Sequence, residues 1–188
     1  LGNTKFKLGF IGEAVENYQK AIKYNKKNIS AYFNLAHVYS EEKNFNDLKK
    51  VLQGVLKFDE KNTTALNDLG YLNLILGNVD EGRKLFERVI DIDDKHIRAF
   101  KNYFLITKAE EGNNFFKKLE KIDLSNVNDE NKVLAYTSLS KCHFDLNQSD
   151  LALKYLDEAN KIKKKNSNFS LQAEKKLFEN IKNIFKQN

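Results

Sequence analysis

The chain has 188 residues, 41% hydrophobic and 31% charged, enough apolar material for one packed core or a short repeat array. Its net charge is +6, no apolar run approaches the length of a membrane-spanning helix, and its single cysteine, Cys142, excludes an internal disulfide. Proline is absent, so nothing interrupts long helices, and the expected class is all-α.

In chain order, Leu1 to about Leu8 leaves room for one short helix. Ala14, Tyr18 and Ala21 then follow at helical spacing. At Asn28 a pattern begins that repeats. Asn28-Ile-Ser-Ala31-Tyr32, Asn62-Thr-Thr-Ala65-Leu66 and His96-Ile-Arg-Ala99-Phe100 recur at steps of 34, and Lys132-Val-Leu-Ala135-Tyr136 follows after 36. Each period carries one helical stripe (Tyr32, Leu35, Ala36, Tyr39), a turn signal such as Lys43-Asn44 or Gly77-Asn78, and a second stripe (Leu48, Val51, Leu52, Val55). The units are therefore helical hairpins over 29–62, 63–96, 97–132 and 133–166, with Asn28 and Asn62 placed as N-caps.

Small residues recur where two helices must approach closely: Gly2, Ala36, Gly70 and Ser140 in one column, Ala14, Gly82 and Ala152 in another. The 97–132 unit departs, with Phe104 and Phe116 in those columns, a short second helix near Asn114 to Ile122 and a polar loop from Ser125 to Asn131. Two rings do not fit a close crossing, so this degenerate unit is expected to splay. Residues 167–188 read as a terminal capping helix, with Leu171, Leu177, Phe178 and Ile181 on one side and Lys175, Lys176, Glu179 and Lys182 on the other.

The array resembles the tetratricopeptide repeat family. Tyr32, Leu35-Ala36, Tyr39, Leu48, Leu52 and Val55 match its pattern in one unit, and Leu66, Leu69-Gly70, Gly82, Phe86 and Val89 in the next. Leu1-Gly2, followed by Ala14, Tyr18 and Ala21, fits the back part of a partial first unit over 1–28 in the same pattern. The family's terminal proline is replaced by Lys26, Glu60 and Asp94. The resemblance implies a right-handed superhelical solenoid of antiparallel hairpins whose first helices line a concave groove. It also implies a non-enzymatic scaffold or adaptor that binds a peptide or a protein partner.

Counting along each first helix assigns the groove. It holds Ser30, Phe33, Asn34 and His37, then Thr64, Asn67, Asp68 and Tyr71, then Arg98, Lys101, Asn102 and Leu105. Asn34, Asp68 and Asn102 repeat at 34 and are expected to form a polar line suited to the backbone of an extended peptide. Some members of the family clamp a chaperone's terminal carboxylate with Lys and Asn, then Asn, then Lys and Arg. Asn3 and Asn34 stand at the two Asn places, but Thr64 and Asp68 replace the Lys and Arg, and an aspartate repels a carboxylate.

Other chemistry finds little support. Ser138-Leu-Ser-Lys141 matches S-x-x-K without the companion motifs of acyl enzymes, and no cluster of residues calls for a metal or cofactor. The tripeptides at Asn28, Asn62, Asn147 and Asn168 read as caps and turns before glycosylation sites. Residues 151–188 hold 9 basic against 4 acidic groups, and Lys161-Ile-Lys-Lys-Lys165 raises an acidic surface or nucleic acid as partner. The weak interleaving of aromatic with basic residues argues against nucleic acid. The chain has no methionine, so Leu1 is not expected to be a native start. A cytoplasmic location is the default expectation. A periplasmic or membrane-anchored form, and a role as targeting module of a larger enzyme or assembly factor, are the alternatives if a leader or domain precedes Leu1. Oligomeric state leaves no trace in the sequence.

Overall fold

Helix boundaries follow from cap chemistry written into the sequence. The computed structural model describes residues 2–166, and the predicted capping helix over 167–188 lies outside that span. Ten helices and no strand occur among the described residues. They pair as α1 (Gly2–Lys7) with α2 (Ile11–Tyr24), α3 (Ile29–Glu41) with α4 (Phe45–Leu56) and α5 (Thr63–Ile75) with α6 (Val79–Ile92). The last four are α7 (Ile97–Ile106), α8 (Asn114–Glu120), α9 (Asp129–Asp145) and α10 (Ser149–Asn166). The result is the expected all-α solenoid of helical hairpins.

Asparagine starts many of these helices. The side chains of Asn28, Asn44, Asn62, Asn113 and Asn128 each accept the amide three residues on, at 2.9–3.3 Å, filling one of the four donors a helix start leaves unpaired. At α7 the imidazole of His96 does the same work, its Nδ1 accepting from the Ala99 amide at 3.1 Å.

The turns inside the hairpins share one geometry. Gly9, Lys43, Gly77 and Asn147 all take positive φ, between 53° and 81°. The next amide in each case reaches back five residues, from Phe10 to Lys5, Asn44 to Tyr39, Asn78 to Asn73 and Gln148 to His143, at 2.8–2.9 Å. Glycine and asparagine tolerate this backbone; Lys43 occupies it under strain.

Two apolar clusters meet at α5, which sends Leu69 and Leu72 to one side and Leu66 to the other. The small-residue columns set the spacing within hairpins. A Cβ on Gly82 would lie 2.9 Å from the Gly70 carbonyl oxygen, and one on Gly70 would lie 2.6 Å from the buried Phe86 ring. In the last hairpin Ser140 uses its small size differently, donating its hydroxyl to the Ala152 carbonyl at 2.8 Å.

The unit over 97–132 breaks the rule in the place the rings foretold. Phe104 and Phe116 meet edge to face with centroids 6.4 Å apart, and α7 touches α8 little. Helix α7 instead packs broadly on α9. It stops at Ile106, and the segment after it is pinned to α9: the Ala109 amide donates to Asp145 at 2.9 Å and Lys141 to the Thr107 carbonyl at 3.3 Å. The polar loop ends earlier than expected, because Asn128 caps α9 and brings Asp129 to Asn131 into its first turn.

Candidate functional site

The first helices α3, α5 and α7, with the start of α9, present a run of adjoining clefts. One of about 370 Å³ lies between α3 and α5, walled by Phe33, Leu48, Tyr71, Leu72 and Ile75, with His37 and Asp68 also on its lining. A second of about 350 Å³ runs between α5 and α7, where Tyr71, Arg98 and Lys101 meet Glu130 and Leu134 of α9. A third, of about 440 Å³, is polar and lies where Thr64, Asp68 and Arg98 face Asn126 to Asn128 of the loop and Asn131 in the first turn of α9. Asp68 lines all three. Toward the N-terminus Asn3, Ser30 and Asn34 share a cleft of about 310 Å³ with Tyr18, whose hydroxyl donates to Asn3 Oδ1 at 2.7 Å.

Exposure separates the predicted groove residues into lining and floor. Tyr71 is open to solvent at 46% exposure, and Arg98 and His37 are also exposed; Leu105, at 55% exposure, is not among the residues lining these clefts. His37 rests against the edge of Phe6, ring centroids 5.3 Å apart. Phe33, Asn34, Asp68 and Lys101 are half-buried. Asn67 and Asn102 are 3% and 4% exposed.

Asn102, expected in the polar line toward a peptide backbone, is therefore not a free amide, and Asn67 beside it is bonded to it. Lys101 Nζ donates to Asn102 Oδ1 at 3.3 Å, Asn102 Nδ2 to Asn67 Oδ1 at 3.1 Å, and Asn67 Nδ2 to Asp68 Oδ1 at 3.3 Å. Every link points the same way, from an ammonium at one end to a carboxylate at the other. Removing Asn102 would orphan the buried Asn67 oxygen, so this amide holds the fold as well as the groove floor.

The electrostatics follow from burial. Desolvation raises the Asp68 carboxyl above the usual aspartate range, opposed by the Asn67 hydrogen bond and then by the positive charge of Arg98. Arg98 lies 3.7 Å from Glu130 across the α7–α9 boundary, an exposed pair of small energetic weight. His96, at the rim of the polar cleft, is held below the usual histidine value mainly by desolvation, which suits its neutral role as a cap.

The count by units stopped at Leu105 and missed Glu130 and Leu134. One more step, taken with the 36-residue spacing of the last alanine, lands on Leu134. Glu130 has no counterpart in the count, because it enters the groove only through the direct packing of α9 on α7.

The S-x-x-K pair is occupied with structure. Ser138 donates its hydroxyl to the Leu134 carbonyl at 2.7 Å, and Lys141 pairs with Asp145 at 2.6 Å. Among the described residues no group of three or more His, Cys, Asp or Glu side chains is placed to hold a metal, and no helix is long and apolar enough to cross a membrane.

Family models match the chain as "TPR repeat" over residues 2–42 and as "Tetratricopeptide repeat" over 29–62, 63–96 and 133–166. The chain belongs to the tetratricopeptide repeat family. The matched spans pass over 97–132, where α7 and α8 are short. Among solved structures, MamA is similar at TM-score 0.63 and 20% identity, covering 90% of this chain and 98% of that one. YrrB, a TPR protein described as having an unusual peptide-binding site, is similar at TM-score 0.58 and 16% identity, covering 88% and 84%. The first TPR of Spaghetti (RPAP3), solved with the HSP90 peptide SRMEEVD, is similar at TM-score 0.50 and 25% identity, covering 56% and 83%. No curated protein matches at a significant level.

Proposed function

We propose that this tetratricopeptide array is a non-enzymatic scaffold whose concave groove receives an extended segment of a partner protein. One observation carries the reading: exposed and half-buried side chains of three successive first helices line adjoining clefts, with Tyr71 uncovered above a hydrogen-bonded polar floor and Leu105 exposed farther along α7. Exposed aromatic and aliphatic groups over a fixed floor suit burial by a ligand, since little ordering remains to be done on binding. The RPAP3 repeat, with its bound peptide, gives a precedent for this use of the fold. Ser138 and Lys141, held by backbone and by Asp145, supply neither a free nucleophile nor a free base, in keeping with a scaffold.

Dodecapeptides selected on the chain from a phage-displayed random library, and titrated by fluorescence anisotropy, test the reading. Tyr71→Ala combined with Leu105→Ala is expected to weaken their binding at least tenfold, about 1.4 kcal/mol. Lys84→Ala, on the exposed face of α6, is expected to change it less than twofold. Equal affinities for both variants would place binding outside the groove.

A further inference from the structure

We infer that the cleft between α3 and α5 is a receptor for one basic side chain, lysine or arginine, of the bound segment, with Asp68 as its counter-charge. The inference rests on the groove reading above and gives it a specificity. Asp68 is the cleft's one carboxylate, and no lysine or arginine is among its lining residues. Its other walls are mostly aromatic and aliphatic, with Phe33, Tyr71, Leu72 and Ile75 placed around it, and His37, Ser40 and Thr64 add its remaining polar lining. This is the environment that a long basic side chain fills best, its methylenes along the apolar wall, its head over a ring face and against the carboxylate.

Asp68 is poised for such a partner. Asp68 accepts its hydrogen bond from Asn67, a neutral amide, and among the described residues no Lys, Arg or His nitrogen lies within ion-pair distance of it. Arg98 acts on it at longer range, while its own guanidinium faces Glu130. Burial raises the cost of the carboxylate charge, and an incoming cation offsets that cost in a setting where water screens the pair poorly. The chain of amides from Lys101 fixes the carboxylate in place before any ligand arrives. An acidic side chain in the same cleft meets repulsion instead.

The selected dodecapeptides are again the probe. Wild-type chain is expected to enrich peptides containing Lys or Arg. Replacing that residue with Gln should weaken binding at least tenfold to the wild-type chain and less than twofold to Asp68→Asn, which itself should bind the parent peptides at least tenfold more weakly. The two changes then fail to add, as a direct contact requires. A melting curve establishes that Asp68→Asn is folded. Should it not fold, the wild-type chain alone decides: the Lys or Arg peptides must lose affinity with added sodium chloride and the Gln peptides must not. Selection of peptides without a basic residue, additive losses, or equal salt dependence would overturn the inference. In those cases loss of affinity in the Tyr71→Ala, Leu105→Ala double variant would leave the groove reading standing; retention there would remove both.

Discussion

Phe104 stands where the neighbouring units have Ala36 and Gly70, so restoring the small residue tests whether the degenerate unit is a defect or a different solution. Phe104 is fully buried, edge-on to Tyr103 at 5.0 Å and to Phe116 at 6.4 Å, in the cluster that also holds Phe100, Leu139 and Cys142. Truncating a ring of this kind removes its transfer energy and leaves a cavity, about 3–5 kcal/mol in all. The neighbours give little room for collapse, since α9 is tied to the segment after α7 by the Ala109–Asp145 and Lys141–Thr107 bonds. Phe104→Ala is therefore expected to lose about 3–5 kcal/mol in urea unfolding followed by circular dichroism, which for a chain of this length lowers Tm by roughly 6–20 °C. Because repeats contact mainly their neighbours, amide exchange should speed up in α7 to α10 and stay slow in α3 and α4. A loss below about 1 kcal/mol would mean that α7 and α8 close up on a small residue as the other hairpins do, and the argument from the rings would fail.

Two further outcomes follow from single side chains. His96 is neutral when it caps α7, and its pKa is lowered by burial, so its contribution is present above the unfolded value near pH 6.5 and is lost as pH falls through the lower folded value; His96→Asn, the cap used at positions 28 and 62, should flatten stability between about pH 7 and 5 in urea titrations, and parallel pH profiles would refute this. Lys43 holds φ +53° at a turn where Gly77 holds +81°, so Lys43→Gly should gain about 0.5–1 kcal/mol and Gly77→Lys lose a similar amount, the latter through backbone strain alone because a Cβ there meets nothing within 4 Å; melting temperatures that move the other way would contradict the assignment.

What the sequence made legible was whatever depends on phase. The 34-residue step fixed the hairpins, the asparagine caps and the crossings at Gly70 and Gly82, because each is a local or periodic demand of packed helices. His96 escaped as a cap because imidazole is not among the usual capping side chains, although its place in the repeat is that of Asn28 and Asn62. The bonded amides Asn67 and Asn102 were counted correctly onto the first helices. Their burial was not visible, since period alone does not say that a residue on α5 and another on α7 face one another closely enough to bond.

The departure over 97–132 also explains the charges that the groove has toward α9. In a regular array a full second helix would stand between α7 and α9. With α8 reduced to seven residues, α9 packs against α7 itself, and its first turns carry Glu130 and Leu134 into the cleft that holds Arg98 and Lys101. Glu130 then faces Arg98, drawing its positive charge toward the α9 side. On the α3 side Asp68 is left as the one carboxylate of a cleft without lysine or arginine. The mixed charge of the groove toward α9 thus follows from the direct packing of α9 on α7 that accompanies the two phenylalanines and the short α8, while the cleft toward α3 keeps Asp68 as its one carboxylate independently of that unit.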